Sequence, residues 1–159
     1  METVKNLQLA ESKARILFPT SPQWFKEILI QSFGEKCLKG SIMERVKTFV
    51  DAYDLASDAI KLEYKSSVNP NTPSDILAYA QLKVIIAVIN EGWTPNWDNS
   101  NQKKWYPYFR LSSGFGFSGA YYGFTGTGTI VGSRLCLESQ EKAEYVGKQF
   151  VELYKQFML

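Results

Sequence analysis

Trp105-Tyr106-Pro107-Tyr108-Phe109-Arg110-Leu111 alternates with a period of two. Trp105, Pro107, Phe109 and Leu111 fall on one face and Tyr106, Tyr108 and Arg110 on the other, the pattern of a half-buried strand. Two further β-like runs follow, Phe115 to Phe124 and Thr129 to Leu137. Gly114, Gly116, Gly119, Gly123, Gly126, Gly128 and Gly132 punctuate them, a density that favours bulges, tight turns and close backbone approach. Short runs in this order predict a small, glycine-rich antiparallel β-meander.

Upstream of this region the period is helical. Ala10, Ala14, Leu17 and Phe18 recur at helical spacing until Pro19. Ser21-Pro22 reads as an N-cap followed by proline at the first helical position. Trp24, Phe25, Ile28, Leu29 and Phe33 then form an apolar face that Gly34 closes. Ser41 and Glu44 fit a capping box opening a third helix, with Ile42, Val46, Phe49, Val50, Tyr53 and Ile60 as its apolar positions. Asn69-Pro70-Asn71-Thr72-Pro73 breaks the pattern, and a fourth helix follows whose run Leu77 to Ile89 reads as buried on most sides. After Gly92, Trp93 to Gln102 reads as a loop. Beyond the sheet, Ser139 caps a last helix striped by Ala143, Val146, Phe150, Leu153 and Phe157, with Tyr145, Lys148 and Lys155 on its outer face. The expectation is an α+β fold in one domain, 1–159: a mainly helical region over 1–91, an aromatic β-meander over 92–138 and a closing C-terminal helix over 139–159.

The 159 residues are 45% hydrophobic and carry a net charge of only +2, too apolar and too nearly neutral for a disordered chain. They include no histidine. That excludes Ser-His-Asp and Cys-His nucleophile systems, His-containing zinc sites and the ordinary neutral-pH base. No other catalytic motif replaces them, so the expectation is a non-enzyme with no cofactor and no metal. Cys37 and Cys136 sit among apolar neighbours and read as buried free thiols. Met1 to Ala10 has no apolar signal-peptide core, and the longest apolar run, Val84 to Ile89, is far short of the ~20 residues of a membrane span. A place in the cytoplasm, away from membranes, is expected.

Several strings carry a resemblance when taken together: Arg45-Val46-Lys47-Thr48-Phe49-Val50-Asp51-Ala52, Asn90-Glu91-Gly92-Trp93-Thr94-Pro95-Asn96-Trp97, Trp105-Tyr106-Pro107-Tyr108-Phe109, Gly132-Ser133-Arg134-Leu135-Cys136 and Tyr145-Val146-Gly147-Lys148-Gln149-Phe150. In this order, over roughly 40–155, the chain resembles a family of small proteins carried by bacteriophages, prophages and mobile elements of gut Bacteroidales. The resemblance implies a phage or mobile-element setting, hence the bacterial host's cytoplasm or the virion. It implies no activity and no mapped site.

The residues themselves point to one region. Of 23 aromatic side chains, 11 fall between Trp93 and Phe124, and Asn99 to Leu137 holds Lys103, Lys104, Arg110 and Arg134 with no acidic residue. Aromatic faces that stack bases, interleaved with cations that neutralise phosphates, suit single-stranded nucleic acid. The candidate binding residues are Trp97, Lys103, Lys104, Tyr106, Tyr108, Arg110, Phe115, Phe117 and Arg134. The bland alternative is that these rings fill a sheet–helix core. A second functional reading is a protein-interaction module, either a virion accessory component or an inhibitor of a host defence system, with homo-oligomers among its forms. Lesser candidates are three aspartates on one helical face (Asp51, Asp54, Asp58), which read as a solvated acidic face. Gly126-Thr127-Gly128-Thr129 reads as a hairpin turn. Arg134 reads either as a buried strand residue paired with Glu138 or Glu91, or as an exposed cation beside the aromatic row.

Overall fold

Ser41 and Glu44 bond reciprocally: the Glu44 N–H donates to Ser41 Oγ (3.2 Å) and the Ser41 N–H to Glu44 Oε2 (3.0 Å). The helix they open is only one turn long, α4 (Ile42–Arg45), in the computed structural model, which describes residues 8–112, 116–129 and 131–159. The side chains of Lys36, Leu111, Ser112 and 116–121 lie outside that description. Contacts divide the chain into two units, with the boundary between Arg45 and Val46.

The first unit contains α1 (Glu11–Leu17), α2 (Gln23–Phe33), α3 (Glu35–Lys39) and α4. Its core is Ala14, Phe18, Leu29 and Leu38, flanked by Leu9, Phe25, Ile30 and Phe33. Gly34 stops α2 at φ 78°, a conformation that costs a side chain but not glycine. Two expectations are corrected here. Ser21 does not cap α2, because its hydroxyl donates back to the Leu17 carbonyl (2.8 Å). Trp24 and Ile28, assigned to the apolar face, are 64% and 47% exposed.

In the second unit the third predicted helix, having stopped at Arg45, continues as two pieces, α5 (Phe49–Leu55) and α6 (Asp58–Ser67). Each piece starts at a residue able to cap it. Thr48 and Asp51 form a second capping box, and Ser57 accepts from the Ile60 N–H (3.4 Å) after Ala56 turns extended. Helix α7 (Ser74–Ile89) is the central element, burying Ala78, Ala80, Leu82, Val84, Ile85, Ile86, Val88 and Ile89 as the apolar run requires. Full burial of one such aliphatic side chain contributes ~1.5–3 kcal/mol.

Strands β1 (Lys104–Ser112) and β2 (Gly116–Thr125) pair antiparallel, with Trp105 opposite Phe124, Tyr106 opposite Gly123, Pro107 opposite Tyr122 and a bulge between Phe109 and Leu111. Among its described residues the third β-like run forms no strand. Thr129 Oγ1 accepts from the Gly132 N–H (2.8 Å), Gly132 takes φ 72°, and Ser133–Leu135 coils into a 3-10 turn. Leu137 bridges to Trp105, by backbone bonds of 3.0 and 2.7 Å. Asn90, buried at the end of α7, holds this segment instead: its amide donates to the Cys136 carbonyl (2.9 Å) and accepts from the Glu138 N–H (3.2 Å). The last helix is also divided, into α8 (Gln140–Gln149), which packs on both strands, and α9 (Val151–Met158). The break at Phe150 (φ −113°, ψ 28°) lets Tyr154 bury against Phe109, ring centroids 4.9 Å apart. Tyr145, expected on the outer face, instead donates its hydroxyl to the Val46 carbonyl (2.7 Å).

The α+β class therefore stands, as helices together with a two-stranded antiparallel sheet. Both cysteines are free thiols, Cys136 buried and Cys37 half-buried. Among the described residues no helix is long and apolar enough to cross a membrane.

Candidate functional site

The cross-strand register assembles a surface that no single strand contains. Trp105 stands opposite Phe124 and Pro107 opposite Tyr122, so all four share one face of the hairpin. The Trp105 ring lies 5.0 Å from Phe124 and 5.5 Å from Tyr122. Phe124 is 52% and Tyr122 41% exposed, with Trp105 half-buried beside them. Lys103, just before β1, places its ammonium 4.5 Å from the Phe124 ring and 5.6 Å from Trp105. Cation–π attraction positions that charge over rings that still face solvent.

This is not the row expected from alternation. Along Lys104, Tyr106, Tyr108 and Arg110 the period of two holds, but only the far end is open. Tyr108 is 49% exposed and Arg110 is exposed, whereas Tyr106 is buried and Lys104 fully so. The loop before β1 closes the near end: Lys104 Nζ donates to the Asn99 carbonyl (2.7 Å) and lies 5.4 Å from the Trp97 ring. Tyr106 lies across its partner Gly123, where a Cβ would stand 2.6 Å from the ring's Cζ. That glycine is required by close approach. Trp105, assigned to the core face, belongs to the exposed ring cluster; Pro107 and Phe109 on that face are buried. Phe115 lies outside the described residues, and so does the side chain of Phe117.

Trp97 belongs to a second place. The loop carrying it is fixed by its own side chains, with Asn96 accepting from the Asp98 N–H (3.0 Å), Asn99 from Asn101 (3.0 Å) and Gln102 from Asn96 (2.6 Å). Trp97 Nε1 donates to Ser133 Oγ at 2.8 Å. Trp97 and Arg134 both line a cleft of about 580 Å3 with Tyr64, Glu63 and Lys83. Lys83 binds Glu63 at 2.6 Å; that hydrogen bond, then the Lys83 charge and to a lesser degree Arg134, hold the Glu63 carboxyl below the usual range. Arg134 is therefore neither on a strand nor buried. It stands exposed on the 3-10 turn, while Glu138 binds Lys142 (2.7 Å).

The aspartate row is dispersed. Asp51 and Asp54 lie on α5 and Asp58 opens α6, and the Asp51 carboxylate accepts from the Thr48 N–H (2.8 Å), the Lys47 N–H (3.0 Å) and the Thr48 hydroxyl (2.9 Å). Those bonds lower its pKa, the Thr48 hydroxyl foremost. Among the described residues no three potential metal ligands come together. Gly126-Thr127-Gly128-Thr129 follows β2 rather than joining two strands, and the Thr125 hydroxyl donates to the Gly128 carbonyl.

The structure thus joins Trp97 with Lys104, and Trp97 with Arg134. Lys103 goes to a ring cluster whose Trp105, Tyr122 and Phe124 were not among the candidate binding residues. Spacing of Tyr122 and Phe124 at i, i+2 was visible, but their neighbourhood with Trp105 depends on register. Glu63, Lys83 and Tyr64 carried no signal, since two helices bring them to the cleft. No family model, curated protein or solved structure matches the chain.

Proposed function

We propose that the Lys103–Trp105–Tyr122–Phe124 face binds single-stranded nucleic acid, in a non-enzymatic protein of a phage or mobile element acting in the host cytoplasm. The setting follows from the family resemblance. The observation that carries the ligand is the Lys103 ammonium 4.5 Å from a half-exposed Phe124 ring, with Tyr122 exposed beside it. Bases stack on such rings for ~1–3 kcal/mol each, while the lysine neutralises a phosphate. Rings held apart from the core by cross-strand packing keep their outer faces available at little entropic cost.

The test is fluorescence anisotropy with a labelled oligothymidylate across a salt series. Tyr122→Ala with Phe124→Ala should weaken binding roughly tenfold or more. Lys103→Ala should reduce the slope of log affinity against log salt by about one. Absence of low-salt binding by the native chain ends the reading. The second reading, a protein-interaction module of the virion or against host defence, is favoured by Trp24 and Ile28, exposed one turn apart on α2. It predicts a homo-oligomer or a protein complex that Trp24→Ser disrupts, measured by light scattering.

A further inference from the structure

The cleft beside Trp97 has a shape and charge that the hairpin face does not use. Its volume of about 580 Å3 falls inside the roughly 300–1,000 Å3 of small-molecule sites. Its two aromatic walls are already held in place. Trp97 is oriented by its bond to Ser133 (2.8 Å) and backed by the Lys104 ammonium (5.4 Å from the ring). Tyr64 packs against Phe49 (5.1 Å) and Tyr53 (5.7 Å). A flat ligand would meet rings that have little freedom left to lose.

The charges are equally specific. Lys83 and Arg134 face one carboxylate, Glu63, so two cations less one anion leave the cleft at +1. Lys83 is committed to Glu63, and the exposed Arg134 remains at the rim, where a guanidinium can bind a phosphate by two parallel N–H···O bonds. Glu63, held ionised, offers an acceptor to an amino group on the ligand. A planar ring, an amino group and an anion are the parts of a nucleotide.

We propose that this cleft binds one nucleotide with an amino-bearing base, the base against Trp97 and the phosphate on Arg134. The inference does not rest on the hairpin reading. A free 5′-nucleotide and the phosphorylated 5′ end of a strand present the same chemistry, and experiment separates them. Calorimetric titration of the full chain with AMP should give saturable binding, with adenosine about tenfold weaker for want of the charged hydrogen bonds. IMP, which lacks the amino group, should also bind less tightly than AMP. Arg134→Ala, an exposed substitution that leaves the fold intact, should bring AMP down to the affinity of adenosine. Trp97→Phe should retain binding and Trp97→Ala lose it, while Phe124→Ala leaves it unchanged. Displacement of AMP by a 5′-phosphorylated but not a 5′-hydroxyl oligonucleotide assigns a strand end; displacement by neither assigns the free nucleotide. No saturable AMP binding, or binding that Arg134→Ala and Trp97→Ala both leave unchanged, overturns the proposal. Oligonucleotide binding that persists in that case, and is weakened in Phe124→Ala, leaves the hairpin reading standing alone.

Discussion

Replacing Asn90 with alanine removes two hydrogen bonds that reach across 46 and 48 residues of chain, one to the Cys136 carbonyl and one from the Glu138 N–H. Their costs differ. Cys136 is fully buried, so its carbonyl loses its donor where water does not replace it, about 1–3 kcal/mol. Glu138 is exposed, and water takes over much of its bond, leaving about 0.5–1 kcal/mol. The expected loss is about 1.5–4 kcal/mol, a large share of a typical domain's stability. Urea unfolding followed by tryptophan emission reads it, in a Trp24→Phe background so that only Trp93, Trp97 and Trp105 of the second unit report. Asn90→Asp sharpens the test, because a carboxylate still accepts from Glu138 but cannot donate to Cys136 and meets its carbonyl oxygen. It should be no milder than Asn90→Ala. A loss below about 0.5 kcal/mol in both variants would refute the view that Asn90 holds the segment in place of a third strand.

Gly123→Ala drives a methyl into the Tyr106 ring and should cost about 1–3 kcal/mol; in a Tyr106→Ala background the penalty should vanish, as a double-mutant cycle in urea would show. The Tyr154 hydroxyl is buried without a partner among the described residues, and burial raises its pKa, so Tyr154→Phe should stabilise the fold by up to about 1 kcal/mol by thermal unfolding. Asp51, whose carboxyl is depressed by its bonds to Thr48 and Lys47, should titrate below the ordinary ~3.9 by NMR, and Thr48→Ala should move it back up. Because the folded pKa is the lower one, this stabilisation is present above the unfolded value and lost as pH falls through the folded value; Asp51→Asn should flatten stability against pH in that acid window.

Local chemistry was readable and pairing was not. The Ser41–Glu44 box, the burial of α7 and the strand through Trp105 depend on neighbours within a turn or a strand, and each formed. Apolar spacing carried the expected third helix through Thr48 and Ser57, whose capping bonds outweighed that spacing. The run Thr129 to Leu137 has strand composition, yet Thr129 and Gly132 bend it and Asn90, far away in sequence, supplies its hydrogen bonds. The same limit governs the site. Alternation placed Tyr106 and Tyr108 on one face correctly, but which end lies under the loop depends on Asn99 reaching Lys104. The Trp105–Phe124 contact depends on register, and the Glu63–Lys83–Arg134 group on helix packing, neither of which a local pattern encodes.

Neighbouring lysines at the foot of β1 serve opposite ends. Lys104 is enclosed between the Asn99 carbonyl and the Trp97 ring, so of the four basic residues in the acid-free stretch only Lys103, Arg110 and Arg134 face outward. These three stand at different places: the ring cluster, the far end of β1 and the rim of the cleft. A long-range field built this way is diffuse, so electrostatic steering of a partner should be weak and association rates should sit nearer the neutral range than the diffusion limit. Capture would then be governed by residence: how long a flat group stays on a ring, not how fast it arrives.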